Sequence, residues 1–285
     1  MTTLVTGATG IVGAHLMRAL TALGDRPRGF VRDREAAIRA CGADADLVVG
    51  DFGDLASVRV ALEGIDQVFL TCGNHPRQVE WESSVVDAAV SAGVRRMVKQ
   101  SALGAAIGSP VAFFDAHARV EEHLRASGLP FVLLRPAFKM STLLAGAPGV
   151  RQADRFFAPA AGAKIAMIDP RDIADVAAAV LTTDGHDGRG YELTGPEPVT
   201  FDDMVAELST TIGRPIAFVP VGDTDAVTRF IAAGTPQWIA TNAVTQFGLL
   251  RQGSQAQTRD TVRVLTGHEP RTVAAFLRDH ASAFA

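Results

Sequence analysis

The sequence predicts a doubly wound parallel α/β sheet followed by a smaller, mostly helical C-terminal lobe. In the first half of the chain, short apolar runs of strand length alternate with amphipathic helical runs. A glycine-rich turn joins the first apolar run to the first helical run, and the alternation becomes irregular after Pro136. Such alternation is typical of parallel sheets built by right-handed crossovers, with helices covering both faces.

Six apolar runs have the length and composition of buried strands. They are 2–7, 28–32, 45–51, 67–73, 96–102 and 131–137. The helical patterns between them include 11–23, 54–63, 79–92 and 115–127. Because a helix separates successive strands, we expect the strands to run in the same direction.

The chain after Pro136 is less regular. Residues 139–164 are rich in Gly, Pro and Ala, which predicts a loop or a short helical insertion. The sequence leaves undecided whether this segment acts as a lid. The run 166–181 predicts a strand that Asp169 ends, and then a helix. Asp172 falls in the first turn of that helix, where negative charge is favourable.

Residues 191–195 and 215–221 predict two further strands. Between them, Thr200 is the predicted N-cap and Gly213 the predicted C-cap of a helix. From about Asp223 the pattern is mostly helical. We expect this tail to pack over the carboxyl edge of the sheet.

The composition excludes several classes of function. The chain has 285 residues, of which 47% are hydrophobic and 20% charged, and its net charge is −4. The charges are interspersed, so no basic patch indicates nucleic acid as a partner, and no apolar run has the roughly 18 residues of a membrane span. Cys41 and Cys72 are too few for a disulfide scaffold or a cysteine metal cluster. We expect a cytoplasmic protein with no metal, because the histidines and carboxylates lack metal-ligand spacing.

Three glycines follow the first predicted strand at intervals of three residues. Gly7, Gly10 and Gly13 lie between that strand and a helical run that begins at Ile11. Glycine at these points allows a tight turn, close approach of the backbone to a pyrophosphate, and packing of the helix against the strand. The free N–H groups at the helix start favour phosphate, so this spacing predicts a nucleotide site.

The stretch VTGATGIVG resembles the glycine motif of the NmrA-like branch of the atypical short-chain dehydrogenase/reductases. Further matches, in the family's order, include FVRD, GDFGD, VEEHLRASGLPFVLLRP, IDPRDIADVAAAVL and YELTGPEPVTFDDMVAEL. The resemblance implies a Rossmann sheet that binds NADP(H). It places the dinucleotide domain in residues 1–138, completed by about 164–185, and the substrate lobe in residues 139–163 and 186–285.

The resemblance also assigns cofactor contacts along the carboxyl edge of the sheet. In the glycine loop these are Gly7, Thr9, Gly10, Ile11, Val12 and Gly13. Asp51 and Phe52, after the third strand, would contact the adenine, although a simple strand-ending turn is the alternative. Later contacts are Thr71, Cys72, Gly73, Pro136 and Phe138. Cys72 is interpreted as a small packing residue beside the cofactor, since no histidine partner is apparent.

The end of the second strand bears on the choice of nucleotide. An acidic residue about 20 positions after the glycines takes the ribose 2′-OH in NAD-binding units, whereas Arg32 occupies that point here. A guanidinium suits a 2′-phosphate, which favours NADP(H) over NAD(H), with Arg28 and Arg34 as possible helpers. In the alternative, Arg32 is a solvated residue and Asp33 binds the ribose.

The acid/base pair of the short-chain dehydrogenases is missing. The family uses a Tyr and a Lys four residues later, and the stretch FFDAHARVEEHL has Phe113 and His117 at those positions. Tyr191 is the only tyrosine, and Gly195 stands four residues beyond it. A carbonyl reductase would therefore need another acid.

Three residues are candidates for catalysis. His117 is a candidate acid because its ordinary pKa of about 6.5 suits proton transfer, or it only makes structural hydrogen bonds. Ser101 matches the position of the family's active-site Ser/Thr, or it satisfies a strand end. Lys139 is expected near the nicotinamide, or it is a solvated loop lysine. His75 is a weaker candidate in a loop.

Two main functions remain open on this sequence, beside a third in which the chain is only a protein-interaction module whose cofactor loop is a relic. The first is an NADPH-dependent reductase of quinones or conjugated enones, whose reduced oxygens are delocalised and need little help from an acid; tailoring or coupling of aromatic natural products belongs to it. The second is a non-catalytic NADP(H) redox sensor that acts through a partner protein. The expected substrate is an aromatic or quinoid small molecule, and a homodimer is possible.

Overall fold

The structure is a computed structural model that describes residues 1–285. It contains nine strands. They are β1 Thr3–Thr6, β2 Arg28–Val31, β3 Asp46–Val49, β4 Gln67–Leu70, β5 Arg96–Gln100, β6 Phe131–Pro136, β7 Arg155–Ala158, β8 Gly190–Leu193 and β9 Ala217–Pro220.

Thirteen α-helices and one 3₁₀ helix, Met140–Gly146, connect and cover the strands. The α-helices are α1 Ile11–Ala22, α2 Arg34–Cys41, α3 Leu55–Ala61, α4 Gln78–Ser91, α5 Ala112–Ala126, α6 Ala147–Ala153, α7 Pro170–Thr182, α8 Phe201–Ile212, α9 Asp223–Ala232, α10 Gln237–Arg251, α11 Thr261–Thr266, α12 Val273–Asp279 and α13 Ala281–Phe284. None of these helices is both long and apolar enough to cross a membrane.

Seven strands form one parallel sheet in the order β3-β2-β1-β4-β5-β6-β8. The chain leaves β1 toward β2 and β3 on one side, and then returns to place β4 on the other side. This reversal creates a crevice at the carboxyl ends of β1 and β4, which is where open α/β sheets bind ligands. The predicted doubly wound parallel sheet is confirmed.

Both faces of the sheet are buried. One face packs against α1 and α7 through a cluster that includes Leu16 and Ile173. The other face packs against α3, α4 and α5 through a cluster that includes Val58, Val86 and Leu124. Burial on both faces explains why the strands read as continuous apolar runs.

The C-terminal lobe has a core of its own. The strands β7 and β9 pair in parallel outside the main sheet, and Phe156, Phe201, Phe247 and Phe276 are buried around them. Helix α8 begins with the predicted Thr200 cap, which forms a capping box with Asp203, and it ends at Gly213 with φ 73°.

Two predictions in this lobe are wrong. The run 166–168 is not a strand, because β8 takes the ladder position beside β6 and the run makes a single isolated bridge, between Ile168 and Lys139. The predicted loop or helical insertion 139–164 is helical in its first part but also contains the strand β7. The predicted first turn of α7 is confirmed, since Asp172 lies in it. Asp169, expected to end a strand, is the N-cap of this helix, and its carboxylate accepts the Arg171 N–H at 2.8 Å.

Candidate active site

The glycine loop turns tightly between β1 and α1. Gly7 has φ 61°, a left-handed conformation that favours glycine, and its carbonyl accepts the Gly10 N–H at 2.9 Å. A Cβ on Gly13 would lie 2.2 Å from the Gly7 carbonyl oxygen, far inside contact distance. The first turn of α1 therefore packs against the loop as closely as the backbone allows.

The start of α1 offers unpaired donors. The Ala14 N–H donates back to the Gly10 carbonyl, while the N–H groups of Ile11, Val12 and Gly13 donate to no acceptor within the chain. The Ile11 side chain is half exposed. Three free N–H groups at a helix N-terminus match the pyrophosphate of a dinucleotide, so these residues fit such a cofactor.

Arg32 is exposed just after β2, at the same edge of the sheet as the glycine loop. Asp33, the alternative ribose ligand, caps α2 and accepts the N–H groups of Glu35 and Ala36. The Arg34 guanidinium donates to the Leu47 carbonyl at 3.0 Å. Arg32 makes no hydrogen bond or ion pair with the chain, so its guanidinium is free for a ligand.

The suggested help from Arg28 is wrong. Arg28 is the first residue of β2 and lies at the amino edge of the sheet, opposite the glycine loop. Its guanidinium pairs with Asp46 at 3.0 Å and donates to the Glu63 carbonyl. Because all strands here are parallel, a residue that begins a strand cannot reach the carboxyl edge.

Asp51 and Phe52 form a turn after β3. The Asp51 carboxylate accepts the Gly53 N–H at 2.7 Å, and the Phe52 ring packs against Phe30 with centroids 5.6 Å apart. Both residues are partly exposed at the carboxyl edge. The turn alternative thus describes their local structure, and their contact with an adenine stays a prediction.

A cavity of about 350 Å³ opens beside the carboxyl ends of β4, β5 and β6. The sheet and α5 form one wall, and α9 and α10 of the C-terminal lobe form the other. It brings together eight predicted or discussed site residues: Thr71, Cys72, Ser101, Phe113, His117, Pro136, Phe138 and Lys139. Gly73 and the glycine-loop residues lie outside its lining.

His117 lies in the cavity wall against a buried polar cluster. Its Nδ1 is 3.4 Å from the Lys99 Nζ and 3.3 Å from the Gln78 Nε2. Lys99 forms an ion pair with Glu82 at 2.9 Å, and both of those side chains are fully buried. Burial and the charges of Lys99 and Lys139 hold the pKa of His117 well below its usual range. The imidazole is therefore neutral near pH 7, which weakens the predicted role of a charged general acid.

The Lys99–Glu82 pair was not predicted from the sequence. The signal was the position of Lys99 inside a strand predicted to be covered on both faces, since a lysine there must find a buried partner. The partner itself could not be read from the sequence, because Glu82 lies 17 residues away on a different element.

Lys139 is the only charged side chain that lines the cavity. It begins the segment after β6, and its Nζ makes no hydrogen bond or ion pair with the chain. Burial lowers the pKa of Lys139 below its usual range. An ammonium without a counter-ion in a polar but otherwise uncharged cavity is complementary to an anionic or developing negative oxygen of a ligand.

The Ser101 hydroxyl is already engaged. It donates to the Glu121 carboxylate at 2.6 Å, and that carboxylate also binds Arg125 and Arg135. Burial alone would raise the pKa of Glu121, but the hydrogen bonds from Arg135 and Ser101 outweigh it and lower the pKa. With its proton committed to Glu121, Ser101 can accept a hydrogen bond from a ligand but is a poor donor to one.

Cys72 is not activated. Burial, with a smaller effect from the Glu82 carboxylate, raises the pKa of the Cys72 thiol to about 12. The Sγ donates to the Gly73 carbonyl at 3.1 Å. A protonated thiol fits the interpretation of Cys72 as a packing residue rather than a nucleophile.

The C-terminal lobe supplies a residue that the sequence did not single out. Gln255 is buried in the cavity wall, its side-chain oxygen accepts the Phe138 N–H at 2.7 Å, and its Nε2 donates to the Leu103 carbonyl at 2.9 Å. It therefore fixes the backbone before Lys139 from a position 117 residues away in sequence. No local pattern could have indicated this.

Tyr191 and His75, two residues considered from the sequence, lie outside the cavity. The Tyr191 hydroxyl bonds to His186 at 2.8 Å on the edge strand β8, outside the cavity. His75 stacks on Trp81 with centroids 4.0 Å apart and does not line the cavity. From these positions, neither Tyr191 nor His75 can replace the missing acid of the cavity.

One cluster has the composition of a metal site. Asp172, Asp175 and His268 bring oxygen and nitrogen atoms within 4.8 Å of one another. The Arg271 guanidinium, however, bonds to both carboxylates, at 2.9 Å in the case of Asp175. The charge that a cation would supply is thus provided by the chain, which makes this cluster a link between α7 and the segment after α11.

The comparisons with known proteins cover nearly the whole chain. The family described as NAD(P)H-binding matches residues 7–184. A (4-alkanoyl-5-oxo-2,5-dihydrofuran-3-yl)methyl phosphate reductase of Streptomyces griseus is 37% identical over 99% of each chain. An NAD(P)H azoreductase of Xenophilus azovorans is 32% identical over 99% of this chain and 98% of its own. The NADPH complex of an Escherichia coli quinone oxidoreductase superposes with a TM-score of 0.88, at 27% identity, over 97% and 99% of the two chains.

The fold, the glycine loop and these relatives define a nicotinamide-dependent oxidoreductase. The chain belongs to the NAD(P)H-binding family. The resemblance stated from the sequence is confirmed. The relatives favour the catalytic interpretation over the non-catalytic sensor.

Proposed function

We propose that this protein is an NADPH-dependent reductase of small quinones or conjugated enones. The observation that carries the proposal is the free ammonium of Lys139 in a cavity that has no tyrosine and no charged histidine. Reduction of an isolated ketone leaves the negative charge localised on one oxygen, which needs a proton donor held directly at that oxygen. Reduction of a conjugated acceptor instead spreads the negative charge, so that one ammonium and hydrogen-bond donors suffice.

The preference for NADPH rests on Arg32. Its guanidinium is exposed and unpaired at the edge where the ribose would lie, whereas the Asp33 carboxylate is engaged in capping α2. A free guanidinium can donate charge-assisted hydrogen bonds to the 2′-phosphate of NADPH. The 2′-hydroxyl of NADH offers no charge for it to bind. We therefore assign Arg32, rather than Asp33, to the discrimination between the two nucleotides.

The chain's own residues would bind and orient the acceptor. The cofactor, when bound, supplies a hydride. Lys139 would place its ammonium at the acceptor oxygen and give up a proton as the charge develops there, helped by its lowered pKa. Phe113 and Phe138 would pack against the acceptor and keep water out.

The walls of the cavity favour an acceptor with an apolar body. A small side pocket of about 60 Å³ shares Phe138, Phe230 and Phe247 with the main cavity. The rest of its lining is mostly apolar and includes three further phenylalanines and Ala158. This supports the predicted substrate lobe, residues 139–163 and 186–285, except that β8 within it, Gly190–Leu193, belongs to the main sheet. The acyl-substituted dihydrofuranone in the Streptomyces relative's name and the quinone in that of a 28% identical E. coli relative are both conjugated acceptors.

The experiment is anaerobic oxidation of NADPH with matched acceptors. A naphthoquinone, a cyclic enone and the corresponding saturated ketone are compared at equal concentration, after calorimetric titration with NADPH, NADH and NADP⁺. We expect tight NADPH binding and turnover of the quinone and enone but not of the ketone. Tight NADPH binding without turnover of any acceptor would instead support the non-catalytic redox sensor. Efficient reduction of the ketone would mean that a stronger acid than Lys139 operates in the cavity.

A further inference from the structure

We propose that the buried Lys99–Glu82 ion pair, together with Gln78, is a positioning device for His117. It holds the imidazole as the neutral tautomer that carries its proton on Nε2, and so presents a fixed hydrogen-bond donor to the cavity. The consequence for catalysis rests on the proposed function. The tautomer itself does not, because it is set by the protein alone.

The Lys99 ammonium is fully satisfied. Its Nζ donates to the Glu82 carboxylate at 2.9 Å and to the Gln100 carbonyl, and it lies 3.4 Å from the His117 Nδ1. Three acceptors thus face the three hydrogens of an ammonium. Because Lys99 and Glu82 are both fully buried, the ion pair has no solvent to compete with this geometry.

Gln78 completes the arrangement at the start of α4. Its amide nitrogen lies 3.1 Å from the Glu82 carboxylate and 3.3 Å from the His117 Nδ1. A carboxylate can only accept, so the atom that faces it must be the NH₂ group of the amide. The second hydrogen of that group then points at His117, and the orientation of the amide is determined by Glu82.

Two donors therefore converge on the His117 Nδ1. Neither an ammonium nor an amide NH₂ can accept a hydrogen bond, so Nδ1 must be the unprotonated nitrogen. The proton then resides on Nε2. That atom has no hydrogen-bond partner within the chain, and it is not enclosed by protein, so it is available to a ligand in the cavity that His117 lines.

The charges around His117 oppose its protonation. Lys99 faces it from β5 and Lys139 from the segment after β6, while the nearest carboxylate, Glu82 on α4, is already bound to Lys99 and Gln78. A second proton on Nδ1 would meet the Lys99 ammonium directly. His117 is thus a constant neutral donor rather than a pH switch.

The tautomer can be tested in the cofactor-free full chain by ¹⁵N NMR of the labelled histidines. His117→Gln identifies the His117 resonances. We expect the Nδ1 shift of an unprotonated acceptor and the Nε2 shift of an N–H group, unchanged from pH 6 to pH 9. An N–H at Nδ1, or titration of both nitrogens within this range, would overturn the proposal.

Variants separate positioning from simple folding. The double variant Lys99→Met/Glu82→Gln removes both charges and keeps a similar side-chain volume. It should fold, whereas a single substitution would leave one buried charge unpaired, and a melting curve checks this. We expect the double variant to release His117 from the single tautomer, so that a form with the proton on Nδ1 becomes detectable, and to lower kcat by about tenfold or more with little change in the NADPH dissociation constant. Glu82→Asp, which keeps the pair, should retain the tautomer. A double variant that folds and still shows the fixed tautomer would contradict the assignment, whether or not any acceptor is reduced.

Discussion

Phe113 and His117 lie one helical turn apart on α5, and both side chains line the same cavity. These are the positions at which the family resemblance places a tyrosine and a lysine. The acid/base pair is therefore absent from a site that is otherwise formed, rather than displaced to another part of it. The remaining proton donors in the cavity lining are Lys139 and neutral groups.

The pH dependence of turnover should follow Lys139. Burial lowers its pKa, and the ammonium form is the active one, so activity is present below this pKa and is lost as the pH rises through it. We expect kcat of the wild type to fall in the alkaline range, with a midpoint below the value of about 10.4 for free lysine. Lys139→Gln should lower kcat about 100-fold and remove this limb. Lys164→Gln, at an exposed lysine outside the cavity, is the control. If kcat of Lys139→Gln still fell in the alkaline range as in the wild type, the decrease would belong to another group.

Arg32→Glu should change the nucleotide preference. It removes the free guanidinium and adds a charge that repels a 2′-phosphate, so we expect NADPH affinity to fall about 100-fold or more while NADH affinity changes little. Calorimetric titrations with both nucleotides measure the ratio. Arg28→Gln, at the opposite edge of the sheet, should leave the ratio unchanged. Equal losses of both nucleotides in Arg32→Glu would contradict the assignment of Arg32 to the 2′-phosphate.

Gly13→Ala should disrupt the glycine loop. The added Cβ would lie 2.2 Å from the Gly7 carbonyl oxygen, a backbone atom that cannot move without opening the turn. We expect at least a tenfold loss of affinity for NADPH and for NADH, together with a lower melting temperature. Gly222→Ala is the matched control, because a Cβ there meets nothing within 4 Å and its φ is −70°. Normal nucleotide binding by Gly13→Ala would show that the loop tolerates a different path.

The sequence predicted the elements whose causes are local. Strands covered on both faces, the glycine turn and the Thr200 and Gly213 caps each follow from a short run of residues. The strand expected at 166–168 failed because a long-range competitor, β8, occupies the place beside β6. Which of two apolar runs joins a sheet edge is decided by tertiary packing and not by the runs themselves.

The candidate site divides in the same way. The family resemblance located Phe113 and His117, at the positions of its Tyr and Lys, and Lys139 was found because it follows the end of the sixth predicted strand. It could not find the partners of His117, because Glu82 and Lys99 meet only once α4 packs over β5. For the same reason it assumed an ordinary pKa for His117, whereas the structure lowers it.

The side pocket should confer selectivity for apolar substituents. Ala158 is buried and lines only this pocket, so Ala158→Val would fill it without narrowing the main cavity. In the wild type, each methylene that enters the pocket should lower the activation free energy for an alkyl-substituted quinone by up to about 0.8 kcal/mol, and so raise its kcat/KM. In Ala158→Val this dependence on chain length should disappear, while the unsubstituted quinone reacts as before. A chain-length dependence that persists in the variant would place the substituent elsewhere.

The link between Asp172 and Arg271 should be a major source of stability. Asp172 is fully buried on α7, and its carboxylate accepts the Arg271 N–H at 2.8 Å as well as the guanidinium. Asp172→Asn removes the buried counter-charge and weakens the hydrogen bonds to Arg271, while Asp175 still pairs with the guanidinium at 2.9 Å, so we expect a loss of about 2 kcal/mol in the free energy of unfolding. A melting temperature lower by roughly 4 °C or more would accompany it in a chain of this size. Asp184→Asn, whose side chain is 99% exposed in its pair with Arg96, should change stability little. If the cluster instead held a cation, a chelator would lower the melting temperature of the wild type as Asp172→Asn does; we expect the chelator to have no effect.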